Sequence, residues 1–195
     1  IWNKTYGGAD SDYAYSAQQT SDGGYILAGC KYLSDVDQFD VWLVKTDSSG
    51  NMQWNQTTGG TGDDEAYSVQ QTRDNGYIIT ASTDSFSASR DIWLVKTDSS
   101  GIIQWNEVYG GSQKEEACFA QQIMNGGYIV AGTKYPFSWN PDIWLIRIAR
   151  PGDFGTVSGG YYDFDDLCDY QDLNLFRKAY VVQYHELCDF DKDLD

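Results

Sequence analysis

Asp91-Ile92-Trp93-Leu94-Val95-Lys96-Thr97-Asp98-Ser99-Ser100-Gly101 is the stretch whose reading decides the fold. Residues 40–50 repeat it with a single change, Val41 for Ile92, and Asp142-Ile143-Trp144-Leu145 begins a third copy. An apolar, β-branched run of this length, closed by Ser-Ser-Gly, reads as a strand entering a tight turn, where glycine takes a positive φ at no steric cost. Working outward, other phrases recur at a shift of 51 or 52 residues. Trp2, Trp54 and Trp105 each precede Asn; Gly7-Gly8, Gly59-Gly60 and Gly110-Gly111 follow; then come Gln18-Gln19, Gln70-Gln71 and Gln121-Gln122, and Gly24-Tyr25, Gly76-Tyr77 and Gly127-Tyr128. Whole phrases matching at one period mark an internal repeat.

Each unit is expected to hold four short strands. In the second these are 66–72, 77–82, 91–98 and 102–108, with Arg73-Asp74-Asn75-Gly76 as the first hairpin turn and Gly76 as its positive-φ residue. Glycine recurs too often, and no apolar period of 3.6 lasts long enough, for helix in residues 1–150. Four-stranded units of this size match propeller blades. The Trp-Asn, Gly-Gly-Tyr and Asp-Ile-Trp-Leu-Val-Lys-Thr-Asp phrases resemble the repeats of secreted bacterial and archaeal β-propeller-like proteins. The resemblance implies a mainly β fold of three propeller-blade-like repeats and says little about activity. The repeated Trp, Tyr and Gln residues are expected to pack between units or to satisfy backbone groups.

The count of strands is uneven. The third unit offers 117–122, 128–132 and 142–148, then runs into Ala149-Arg150-Pro151-Gly152 where its Trp-Asn strand is due. An orphan copy of that strand stands at Ile1-Trp2-Asn3-Lys4-Thr5-Tyr6. Propellers close by completing their last blade with their first strand, but three blades fall below the usual four to eight. Residues 1–6 are therefore expected to pair with the open edge of the third unit in a neighbouring copy, head to tail. The alternative is that these residues are an excerpt from a longer array of blades.

At Pro151 the composition shifts, dividing the chain into residues 1–150 and 151–195. The latter hold 11 of the 29 acidic side chains and 3 of the 13 basic ones. Leu173, Phe176, Ala179 and Tyr180 fall at helical spacing. On either side the acids follow calcium-loop spacing: Asp163, Asp165, Asp169 and Asp172, with the Leu167 carbonyl, in one loop, and Asp189, Asp191, Asp193 and Asp195 in the other. Tyr161 stands at the first position of the former, and neither loop has the glycine of the sharp turn. The arrangement resembles the dockerin-type EF-hand module of secreted proteins, which implies a small α-helical fold, Ca²⁺ as cofactor and docking to a cohesin-like protein. Cys168 and Cys188 flank the helix, and a disulfide between them would close a loop worth about 3 kcal/mol. Cys30 and Cys118 could bond only where the first and third units meet.

The net charge of −16 argues against nucleic acid or anionic membrane as partner. No apolar run is long enough to span a bilayer, and residues 1–4 do not form a signal peptide. Abundant Tyr, Trp, Gly, Ser and Thr, with sequons at Asn3 and Asn55, suit an extracellular or cell-surface location. The single histidine, His185, is expected to be a solvent-facing residue, and no nucleophile elbow, phosphate loop or zinc-binding His pair is present. Asp63, Asp64 and Glu65, or Glu115 with Glu116, are paired carboxylates, but in the loops entering each unit they read as solvated turn residues. The expectation is a non-enzymatic structural subunit that binds copies of itself. The alternative is a glycan- or protein-binding module, with Tyr13, Tyr15, Tyr67 and Phe119 stacking on sugars.

Overall fold

The computed structural model describes residues 1–124, 126–135 and 140–149. Among the described residues, eleven strands form three antiparallel sheets. The first sheet is β1 (Asp12–Gln19), β2 (Tyr25–Leu33), β3 (Gln38–Thr46) and β4 (Met52–Thr58), in that order. The second repeats it with β5 (Asp64–Gln71), β6 (Tyr77–Thr83), β7 (Asp91–Thr97) and β8 (Ile103–Tyr109). The third has β9 (Glu115–Gln122), β10 (Tyr128–Lys134) and β11 (Asp142–Ile148), so among the described residues it is one strand short. These bounds agree with the expected strands to within two residues, and the three sheets make an open stack.

The register repeats as the phrases do. Trp42 pairs with Thr57 and Val44 with Asn55; Trp93 pairs with Val108 and Val95 with Asn106. A bulge interrupts the first strand of each sheet at the equivalent residues Tyr15, Tyr67 and Cys118. Glycine has its expected role in one turn type: Gly50 and Gly101 take φ of 75° and 80°. In the Arg73–Gly76 hairpin the expectation needs correction. Asn75 takes the positive φ, 63°, whereas Gly76 is needed because a Cβ there would lie 2.1 Å from the Thr97 carbonyl oxygen.

The core lies between sheets. Ile26, Ala28, Val41 and Leu43 of the first meet Val69, Ile79, Ala81, Trp93 and Val95 of the second. On the opposite face of the second sheet, Ile78, Ile92 and Leu94 meet Ala117, Ala120, Tyr128 and Val130 of the third. Every residue of β6 and β7 is buried, because the strand is covered on both faces. This explains why Asp-Ile-Trp-Leu-Val-Lys-Thr shows no polar alternation. The same phrase in β11 is half uncovered: Ile143 and Leu145, which stand where Ile92 and Leu94 do, are 91% and 64% exposed.

The sheets are also tied through polar groups. The Gln71 N–H donates to Gln18 Oε1 at 2.7 Å, the Ser21 N–H to Gln71 Oε1 at 2.8 Å, and the Arg73 N–H to Gln122 Oε1 at 3.0 Å. The repeated glutamines thus satisfy backbone donors of the adjoining sheet, as expected. Two buried lysines clasp hairpins within a sheet. Lys45 Nζ donates to Asp22 at 2.8 Å, to the Thr46 carbonyl and to Gln53; Lys96 Nζ makes the equivalent bonds to Asp74, Thr97 and Gln104. Cys30 and Cys118 are unbonded to each other.

Candidate functional site

Residues 1–6 carry no strand assignment, yet they lie in a defined place. Trp2 meets Tyr25 edge-on, with ring centroids 5.8 Å apart. Trp54 of β4 meets Tyr77 of the next sheet at 5.9 Å, and Trp105 of β8 meets Tyr128 at 5.5 Å, with interplanar angles between 63° and 66° in all three. Gly50, at the β3–β4 turn, sits under the Trp2 ring as Gly101 sits under Trp54. Tyr6 donates its hydroxyl to the Gly50 carbonyl at 2.7 Å, and Lys4 reaches Asn51 at 3.3 Å. Residues 1–6 therefore rest on the first sheet as the outermost strand of one sheet rests on the sheet that follows.

At the other end, β11 is an uncovered edge among the described residues. Trp42 and Trp93 donate their indole N–H groups to Asn55 and Asn106 of the adjoining strand, at 3.2 and 3.1 Å. Trp144 has no such asparagine opposite it among the described residues; the Lys134 ammonium lies over its ring at 4.9 Å. The asparagine after Trp2 is Asn3, which is exposed. Asn3 and Asn55 are both on the surface, although the Asn55 side chain is engaged by Trp42.

The acids entering each unit are where the structure departs most from the sequence expectation. Asp64 and Glu115 are not solvated: both are 0% exposed, and Asp40 and Asp91 of the preceding sheets are 8% and 2%. Solvent is excluded because the preceding sheet meets the loop through Asp40 or Asp91, which a single-unit reading cannot show. The Gly59 and Gly110 positions are bracketed by these pairs, Asp40 with Asp64 and Asp91 with Glu115. Burial first, and Asp91 as hydrogen-bonding partner second, push the Glu115 carboxyl up to about 7. Asp40 is likewise raised, by burial and by the charges of Asp64 and Asp63. Asp63 is not paired with Asp64; it accepts the Phe39 N–H at 2.8 Å. Glu65 is bound by Arg90 at 2.7 Å and by the Tyr67 hydroxyl at 2.5 Å, and Glu116 by Lys114 and Tyr135.

No protein family matches this chain in sequence, and no curated protein matches it. Tyr13, Tyr15 and Tyr67 form a stacked run with centroid spacings of 6.4 and 5.2 Å, extended by Phe39 at 5.8 Å from Tyr13. Tyr13, Tyr15 and Phe119 are 48%, 48% and 41% exposed. The proposed calcium ligands, the Cys168–Cys188 bridge and His185 lie outside the described residues. Among the described residues no helix is long and apolar enough to cross a membrane, and no group of three or more His, Cys, Asp or Glu is placed to hold a metal ion.

Proposed function

We propose that the chain is an extracellular or cell-surface structural subunit, built of propeller-blade-like units, that assembles head to tail by strand exchange. Residues 1–6 of one copy add the fourth strand to β11 of another, and the first sheet of the former then packs on the bare face of the third. The observation that carries this reading is the placement of Trp2 on Tyr25, which duplicates the contact between one sheet and the next. The repeat supplies the register: Ile143 opposite Tyr6, Trp144 opposite Thr5, Leu145 opposite Lys4 and Ile146 opposite Asn3, with Asn3 accepting from the Trp144 indole. Ile143 and Leu145 enter the site that Ile92 and Leu94 occupy within the chain. The contact is heterologous, and yields a ring or a filament according to the rotation at each step.

Residues 151–195 are proposed as a dockerin-like module stabilised by Ca²⁺, on the strength of the aspartate spacing from Asp163 to Asp172 and from Asp189 to Asp195. The run of exposed tyrosines favours a second reading, a surface for glycans, since flat aromatic faces stack on sugar rings. A glycan array probed with the purified chain tests it, and an array without hits dismisses it.

Light scattering on the full chain and on one lacking residues 1–6 tests the assembly. The full chain is expected to form particles of several copies and the truncated chain to stay monomeric. A synthetic Ile-Trp-Asn-Lys-Thr-Tyr peptide is expected to dissolve the particles by capping β11. Equal mass for both chains would defeat the proposal.

A further inference from the structure

Three carboxylates of the described residues keep a buried oxygen with no hydrogen-bond partner: Asp12 through Oδ1, Asp64 through Oδ1 and Glu115 through Oε1. All three hold the same place in the repeat. Each stands four residues after a glycine whose N–H it accepts, from Gly8 at 2.9 Å, Gly60 at 2.8 Å and Gly111 at 3.3 Å. For two of them the preceding sheet brings a second acid, from the start of the Asp-x-Trp-Leu phrase. A Cβ on Gly59 would lie 2.4 Å from Asp40 Oδ1 and 2.7 Å from Asp64 Oδ2, and one on Gly110 2.2 Å from Asp91 Oδ1 and 2.8 Å from Glu115 Oε2. At Gly7 only Asp12 is present, with Oδ2 at 2.4 Å from that position. The remaining acid of this kind, Asp142, is exposed at the start of β11.

We infer that a proton shared by two carboxyl groups holds each junction between sheets, and that Asp142 of one copy and Asp12 of the next form the same pair where copies meet. The second half rests on the head-to-tail reading above; the first does not. Two buried acids this close cannot both stay ionised without a counter-charge, and a bond between two carboxyls requires that one keep its proton. Asp91 Oδ1 and Glu115 Oε2 converge on one point, 2.2 and 2.8 Å from where a Cβ on Gly110 would stand, with both side chains buried.

The neighbours of each pair suit a proton better than a metal ion. Glu115 faces Asp91 from β7 and the Lys134 ammonium, 3.9 Å away, from β10. Asp64 faces Asp40 from β3, with Asp63 nearby, and accepts from the Ser85 hydroxyl at 2.7 Å. Asp40 accepts from the Gln38 amide at 2.9 Å. Asp12 lies opposite Lys31 in the register, whose ammonium is drawn over Trp42. Glycine N–H, serine and glutamine donors engage the oxygens through which the paired acids face each other, Asp40 Oδ1 and Asp64 Oδ2, Asp91 Oδ1 and Glu115 Oε2.

Sedimentation measurements of self-association between pH 8 and pH 5 test the inference, on the unaltered chain and on the variants Asp12→Asn, Asp142→Asn and Asp35→Asn. Asp35 is exposed in a hairpin turn, so its variant controls for the change in net charge. Association of the unaltered chain is expected to tighten by up to about tenfold per pH unit while the pair takes up its proton. Asp35→Asn is expected to keep that dependence. Asp142→Asn and Asp12→Asn are expected to associate with affinity nearly independent of pH, since an amide donates to the facing carboxylate at any pH. A pH slope in Asp142→Asn equal to that of the unaltered chain overturns the shared proton while leaving assembly intact. Calcium that restores the acid affinity at pH 8 overturns it too, in favour of a cation. If nothing associates at any pH, the head-to-tail reading and the copy-to-copy pair fall together. The intrachain pair is then judged by unfolding Glu115→Gln: a pH dependence of stability unchanged from the parent refutes it.

Discussion

Trp2 lies edge-on to Tyr25 at 5.8 Å, the relationship that Trp54 bears to Tyr77 one sheet further on. The two contacts differ in what stands behind the tryptophan. Trp54 belongs to a paired strand and adjoins the core, whereas Trp2 is 48% exposed in a segment without a ladder. Trp54→Ala is expected to lower unfolding free energy by about 2–4 kcal/mol. Trp2→Ala is expected to cost under about 1 kcal/mol in the isolated chain, yet to weaken association strongly. Urea titration and light scattering read the two effects separately.

Leu94 and Leu145 make a second contrast at one position of the repeat. Leu94 is fully buried, so Leu94→Ala is expected to destabilise by about 2–5 kcal/mol. Leu145 is 64% exposed, and Leu145→Asp is expected to shift stability by under about 0.5 kcal/mol while preventing association. A monomer as well folded as the parent, judged by near-ultraviolet circular dichroism, is the anticipated product.

Folding stability should carry the signature of the Asp91–Glu115 pair. Burial and Asp91 raise the Glu115 carboxyl from 4.5 to about 7, so the folded chain holds that proton more tightly than the unfolded chain does. The stabilisation is therefore fully present below about pH 4.5 and is lost as pH rises through about 7. Its size is of the order of 1–3 kcal/mol. Denaturant midpoints measured between pH 4.5 and pH 8 are expected to fall in the parent and to flatten in Glu115→Gln.

Two glycines should respond differently to alanine. A Cβ on Gly76 would lie 2.1 Å from the Thr97 carbonyl oxygen, while one on Gly111 meets nothing within 4 Å. Gly76→Ala is expected to cost about 1–3 kcal/mol and Gly111→Ala to be nearly neutral, by thermal unfolding.

The strands were legible because their signal is local: β3 and β7 read as strands from β-branched residues and a Ser-Ser-Gly stop, whatever packs on them. The buried acids were not, because Asp64 and Glu115 sit among glycines, serines and other acids, and it is contact with the preceding sheet that takes them out of water. Their repeated place after Gly59-Gly60 and Gly110-Gly111, with an Asp heading each Asp-x-Trp phrase, was the available clue. The hairpin sequence does not distinguish Asn75 from Gly76, because both residue types tolerate a positive φ and the Thr97 carbonyl that demands a bare Cα at position 76 is 21 residues away. The Trp42–Asn55 and Trp93–Asn106 bonds join residues 13 apart, a spacing visible only once the register is known.

The two broad faces of every sheet are unlike, one presenting Trp93 and Val95 and the other Ile92 and Leu94. A molecule stacked from such layers has polarity, like an arrow, and two copies cannot satisfy one another by a twofold axis through this contact. A variant crippled at its Ile143 end alone would still be able to offer residues 1–6 to the tip of a growing array, and would then halt it: a chain terminator whose effect exceeds its share of the mixture.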